Sequence, residues 1–208
     1  MVTEIKGKVI KGLGGLYTVR ETSNSGDVRL YTARAKGVLH RDEEKLLVGD
    51  DVVVTVDDSV PDGVIISDLL PRKNALIRPP VSNIDYLFIV FAAKKPAPVL
   101  EVVDKLTAIA IHNSITPVII ITKSDLSSSL ADEYRTIYSG AGFDTFVVSS
   151  ESGEGVPAVE AYMRTALSGG KTGAFAGASG VGKSTLMNAL FPHLLLSTGD
   201  VSKKNRAR

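Results

Sequence analysis

Apolar positions follow two patterns along the chain, and the change comes near residue 80. Over residues 3–70 they form short runs rich in β-branched residues, at 5–10, 15–20, 28–34, 51–56 and 63–70. Turn-forming clusters separate the runs: Gly12, Gly14 and Gly15; Asn24, Ser25 and Gly26; Gly49 and Asp50; Pro61, Asp62 and Gly63. About five short strands in so little chain predict a small closed or half-closed antiparallel barrel, for which an OB-fold is the best-known solution of that size. Periodicity alone does not separate this from an SH3-like barrel.

From residue 83 onward, buried strands alternate with helices. Residues 84–93 are a near-continuous apolar run, as expected of a strand covered on both faces. Val99, Val102, Val103, Leu106, Ile109 and Ala110 then recur at helical spacing. Strands are predicted at 118–122, 143–150 and 173–177, and helices at 126–140, 156–167 and 183–190. Such alternation predicts a mostly parallel sheet with right-handed crossovers. The expected organisation is a barrel over 1–70, a basic, proline-bounded linker over 71–82 and an α/β domain over 83–208. The final KKNRAR is basic and patternless and is expected to be mobile.

Composition narrows the function classes. The 208 residues carry 24 Lys plus Arg against 23 Asp plus Glu, a net charge of +1, so nucleic acid cannot be held by bulk charge and would need local basic patches. The absence of cysteine excludes disulfides, thiolate metal sites and cysteine nucleophiles from these residues. The first ten residues do not read as a signal peptide, and no apolar run approaches the roughly 20 residues of a membrane helix. A soluble, cytoplasmic protein is expected.

Gly177-Ala178-Ser179-Gly180-Val181-Gly182-Lys183-Ser184 matches G-x-x-x-x-G-K-[ST], between an apolar strand and a helix. Glycines let such a loop fold into a nest of inward N–H groups, and the following helix adds the positive end of its dipole. Lys183 would reach the β and γ oxygens of a nucleoside triphosphate, and Ser184 would ligate Mg²⁺. Thr185 completes the expected phosphate-binding set.

Thr122-Lys123-Ser124-Asp125 lies at the carboxyl end of a predicted strand, where open α/β sheets bind ligands. A carboxylate at Asp125 can accept from the adjacent N1–H and 2-amino donors of guanine, a pair that adenine lacks. Lys123 would lay its stem over the base. The next strand end, Ser149-Ser150-Glu151-Ser152-Gly153-Glu154-Gly155, could set a backbone N–H, that of Ser150, against guanine O6. Thr122, Lys123, Ser124, Asp125, Ser149 and Ser150 are therefore the candidate base-binding residues. His40, His112 and His193 stand singly and read as structural or exposed, so no zinc ligand is assigned.

The base reader precedes the phosphate loop, the reverse of an ordinary GTPase, and only 24 residues follow Ser184. The strands that complete the sheet must therefore precede the loop, so the domain is read as circularly permuted. In this order of parts the chain resembles the circularly permuted, ribosome small-subunit-dependent GTPase A family. The resemblance rests on GKVIKGLGGLYTV, NALIRPPVSNIDYLFIV, TKSD, VVSSESGEG and GASGVGKSTLMNAL. It implies a GTP hydrolase stimulated by the ribosome, which binds the small subunit and its 16S rRNA late in maturation. The barrel would be the RNA-contacting module, GTP and GDP would bind with Mg²⁺, and a monomer is expected.

Two departures stand out. Thr122 takes the place of the usual Asn, which weakens the expected base contact slightly. The family's pattern also continues past KKNRAR into a switch Thr, an Asp-x-Pro-Gly Mg²⁺ loop and a zinc-binding domain, none of which is in these residues. The GTPase domain is accordingly read as lacking its C-terminal part, and the catalytic residues stay unassigned. Two alternatives stay open. One is a nucleotide- and rRNA-binding fragment without hydrolytic activity. The other is a generic P-loop ATPase, against which Asp125 argues.

Overall fold

The computed structural model describes residues 2–22, 28–36, 45–57, 59–60 and 63–192. His40, His193, the turn at residues 24–26, Pro61 and Asp62, and the final KKNRAR lie outside the described residues. The chain divides into two compact units, residues 1–84 and 85–208.

In the first unit, β1 (Val2–Leu13), β2 (Leu16–Glu21), β3 (Leu30–Ala35), β4 (Asp51–Asp57) and β5 (Val64–Leu69) close a barrel in the order β1-β2-β3-β5-β4. Alternation along the strands turns Val9, Val19, Ala33, Val52, Val54 and Ile66 inward, where they are buried with Leu46. One strand serves two partners: β1 pairs β4 through Val2–Lys8 and β2 through Gly7–Leu13. The register shift between Val9 and Lys11 marks a bulge, which bends a strand and re-aims it.

The expected all-antiparallel barrel needs one correction. β3 and β5 run parallel, with Arg34 opposite Ile65 and Ala35 opposite Ile66. The β4–β5 hairpin inserts β5 beside β3, which closes the five-stranded barrel. This is the OB-fold arrangement.

Residues 71–84 are built onto the barrel's unit. Two short strands, β6 (Ala75–Leu76) and β7 (Val81–Ser82), pair antiparallel. Asp50, 0% exposed, takes a two-pronged bond from Arg72 at 2.7 and 2.8 Å, one from the Ser82 hydroxyl at 2.6 Å and one from the Leu47 N–H at 2.7 Å. A buried carboxylate persists only when paired and hydrogen-bonded in this way.

The second unit is an all-parallel sheet in the order β10-β9-β8-β11. Its strands are β8 (Tyr86–Ala92), β9 (Thr116–Thr122), β10 (Thr145–Val147) and β11 (Gly173–Ala176), joined through α1 (Leu100–His112), α2 (Ser128–Gly140) and α3 (Val156–Ala166), with α4 (Lys183–Leu190) last. Phe88, Val90, Ala92, Val118 and Ile120 pack against Val159 and Met163 of α3 and Leu186 and Leu190 of α4. On the other face Phe91 meets the rings of Tyr134 and Tyr138 from α2. Tyr138 also donates to Asp104 of α1 at 3.0 Å, and burial with this carboxylate pushes its phenol above the usual range.

β10 spans three residues where eight are predicted. Among the described residues it is an edge strand that pairs only β9, and the chain turns away at Ser149. No helix of the described residues is long and apolar enough to cross a membrane.

Candidate nucleotide site

The three candidate motifs follow the carboxyl ends of β9, β10 and β11, which all leave the parallel sheet on one edge. This is the edge at which open α/β sheets bind ligands.

The loop after β11 approaches β8 so closely that only glycine fits at its start. A Cβ on Gly177, whose φ is +147°, would lie 2.1 Å from the Val90 carbonyl oxygen. Gly180 and Gly182 also take positive φ, and α4 begins directly after Gly182. The carbonyls of this loop are held by its own Lys183 and by two side chains at the end of β9. Lys183 Nζ donates to Gly177 and Ala178 at 2.9 and 2.6 Å, Lys123 Nζ to Gly180 at 2.8 Å and the Thr122 hydroxyl to Val181 at 2.5 Å.

In a planar trans peptide the C=O and the following N–H point opposite ways. Carbonyls drawn toward Lys123 and Thr122 therefore turn the N–H groups of Val181 and Gly182 away from β9. That is the polarity of an anion nest at a helix N-terminus. Partial burial holds the Lys183 ammonium below the ordinary lysine range. Ala178, Ser179 and Thr185 are exposed, and Gly180, Gly182 and Ser184 are half-buried.

At the end of β9 the four residues of the second motif face different ways. Thr122 is 2% exposed and turned inward, while Lys123 adopts the left-handed conformation, with φ of +57°. Lys123 Nζ also donates to the Lys95 carbonyl at 2.5 Å, which ties in the segment after β8. The Ser124 hydroxyl is buried and has no hydrogen-bond partner among the described residues. Asp125 is exposed at the start of a short 3-10 turn, and its Oδ1 accepts from the Ser149 hydroxyl at 2.7 Å.

Ser149 in turn begins a closed loop. Its N–H donates to Glu154, its carbonyl accepts from Gly153 and its hydroxyl accepts from the Ser152 N–H at 3.3 Å. Ser150 follows, half-buried. The geometry thus joins Asp125 with Ser149, and joins Thr122 and Lys123 with the loop at 177–184. It does not turn the Thr122 hydroxyl outward as the base-contacting reading expects. The Lys95 carbonyl carries no sequence signal, since any residue supplies one.

The chain matches two family models in succession, the RsgA N-terminal domain over residues 6–65 and the RsgA GTPase over residues 69–207. A small ribosomal subunit biogenesis GTPase RsgA of Alkaliphilus metalliredigens is 38% identical over 200 residues, covering 96% of this chain and 65% of that protein. That of Agathobacter rectalis is 35% identical over 207 residues, covering 95% and 66%. The chain therefore spans just under two thirds of these curated relatives.

Among solved structures, YjeQ from Thermotoga maritima superposes with a TM-score of 0.73 at 29% identity, covering 95% of this chain and 68% of that one. YloQ, described as a circularly permuted GTPase, gives 0.70 at 31% identity, covering 91% and 65%. The barrel order, the parallel sheet and the position of TKSD ahead of the glycine-rich loop agree with an OB-fold followed by a circularly permuted GTPase domain. With both of its models matched in sequence, the chain belongs to the RsgA GTPase family.

Proposed function

We propose that the chain binds GTP and GDP with Mg²⁺, hydrolyses GTP under stimulation by the ribosome and assists late maturation of the small ribosomal subunit. The observation that carries the guanine reading is the Asp125 carboxylate, exposed yet oriented by Ser149, on the strand end whose preceding residues hold the phosphate loop. A carboxylate has about four acceptor sites. One bond to Ser149 leaves capacity for both guanine donors, and the Ser150 N–H is assigned to O6.

The residues fit a nucleotide's phosphates: the loop presents N–H groups at the start of α4, and Lys183 stands over it. Lys183 would exchange the Gly177 and Ala178 carbonyls for β and γ oxygens, a charge-assisted contact. The backbone from Gly177 to Thr185 completes the cradle. Ser184 would hold Mg²⁺, which neutralises charge on the β and γ oxygens when bound. No zinc ligand is assigned within the 208 residues.

For the barrel we propose contact with 16S rRNA. Lys6, Lys11, Arg29, Arg34 and Lys36 are exposed, whereas Lys8 is engaged by Asp51 at 2.8 Å. Neutralised phosphates give binding a salt dependence. Action as a cytoplasmic monomer belongs to the same reading.

Calorimetry with GDP, GTP and ATP, followed by phosphate release with and without small subunits, tests the proposal. Binding of GDP and GTP but not ATP, with release raised by subunits, is expected. Equal affinity for ATP would contradict the guanine reading. Guanine binding without hydrolysis would favour the nucleotide- and rRNA-binding fragment.

A further inference from the structure

We infer that the carboxyl edge of the parallel sheet is charge-polarised, so that a nucleotide is drawn in phosphates first, with Lys94 and Lys95 steering it from a distance. This rests on the reading of residues 177–184 as a phosphate site. Four segments leave this edge, and the sheet order β10-β9-β8-β11 sets their succession in space. The segment after β10 carries Glu151 and Glu154 and that after β9 carries Asp125, all exposed. The segment after β8 carries Lys94 and Lys95, also exposed, and the loop after β11 leads into Lys183. The sign of the charge therefore changes between β9 and β8. Lys123 belongs in sequence to the acidic side, but its Nζ lies across at the carbonyls of Lys95 and Gly180 and adds to the cationic side.

Little offsets these charges. Residues 93–98 and 177–192 contain three lysines and no carboxylate. Pro96, Ala97 and Pro98 line one cavity together with Gly177, Ala178 and Ser179, which sets the two preceding lysines beside the phosphate loop. Glu101, their nearest carboxylate in sequence, is taken by Lys105 at 2.7 Å. Lys94, Lys95, Glu151 and Glu154 form no ion pair among the described residues. A nucleoside diphosphate or triphosphate is polar in the same sense, with its negative charge at one end and a neutral base at the other. The lysines attract the phosphate end toward 177–184, and the carboxylates repel it from the Asp125 end. An inverted encounter is disfavoured at both ends. Steering of this kind acts on the association rate and is screened by salt, whereas contacts within the complex act on dissociation.

The test is stopped-flow binding of mant-GDP to the parent chain, to Lys94→Gln with Lys95→Gln, and to Glu151→Gln with Glu154→Gln. Each is followed from about 10 to about 500 mM salt. All four side chains are exposed, so both double variants keep the fold. At the lowest salt, association is expected to be about fivefold slower in the lysine variant and about twofold faster in the glutamate variant. Both differences vanish near 500 mM, where the screening length is only about 4 Å. Dissociation rates stay at the parental value throughout.

Parental association in the lysine variant would overturn the inference, and so would a loss of affinity carried by faster dissociation. A change of the same direction in both double variants would also overturn it, because only charge gives them opposite signs. If the parent chain itself binds no mant-GDP, the phosphate-site reading fails and the inference falls with it. Intact binding with unaltered association overturns the steering alone.

Discussion

The Ser149 hydroxyl donates to Oδ1 of Asp125 at 2.7 Å across 24 residues of sequence, joining the ends of two neighbouring strands. Ser149 is fully buried and Asp125 is exposed, so an interior donor fixes the plane of a carboxylate that faces outward. Preorganisation of this kind lowers the cost of ordering the acceptor when a ligand arrives. Ser149 is itself held by the loop that closes through Glu154 and Gly153.

Ser149→Ala removes that donor and leaves Asp125 free to rotate. The loss of one hydrogen bond to a charged acceptor is worth about 1.5–3 kcal/mol at most, and solvent at the exposed carboxylate reduces it to about 1 kcal/mol. GDP affinity is expected to fall about fivefold. Preference for GDP over IDP, which lacks the 2-amino group, should shrink with it. Calorimetry with both nucleotides measures this, and an unchanged preference would show that Ser149 does not orient the base reader.

Lys183→Ala deletes the one cationic side chain that the loop at 177–184 itself carries. Charge-assisted contacts of this kind contribute about 1.5–3 kcal/mol each. GDP affinity should therefore fall at least tenfold, a change that the same calorimetry reads directly. Protection of β8 and β9 in amide exchange should persist, because Lys183 spans only its own loop in the nucleotide-free chain. GDP binding at parental strength would remove the phosphate-site assignment.

Arg72→Met tests how the segment after the barrel is held. It strips the fully buried Asp50 of its cationic partner, leaving the Ser82 hydroxyl and the Leu47 N–H. Breaking a buried pair on one side typically costs about 3–5 kcal/mol, chiefly through the uncompensated charge. Barrel amides should then exchange much faster. Adding Asp50→Asn should recover part of the loss, since a neutral amide is cheaper to bury. A double variant less protected than Arg72→Met alone would contradict this account.

What could be read in advance follows the range of the interactions. The strand Tyr86–Ala92 was legible because both of its faces are apolar, and the loop at 177–184 because glycine spacing and Lys183 sit together in sequence. The parallel pairing of β3 with β5 was not legible, since Arg34 meets Ile65 through the placement of the β4–β5 hairpin rather than through the pattern of either strand. Residues 71–82 show prolines and charge on paper. That Arg72 and Ser82 converge on Asp50, 22 and 32 residues back, is visible only in three dimensions. Thr122 is similar: its position in the motif suggested the base, and its partner at Val181 lies 59 residues away.

Asp125→Asn tests the central claim, that this site selects guanine through one carboxylate. The amide keeps an acceptor for N1–H but sets a donor against the 2-amino group, a clash of about 1–3 kcal/mol. Xanthine has a carbonyl at that carbon and complements the amide. Competition binding of GDP, XDP and ADP to the parent and to Asp125→Asn should show preference moving from GDP to XDP by at least about tenfold, with ADP weak throughout. A variant that keeps its preference for GDP over XDP would show that Asp125 does not read the base.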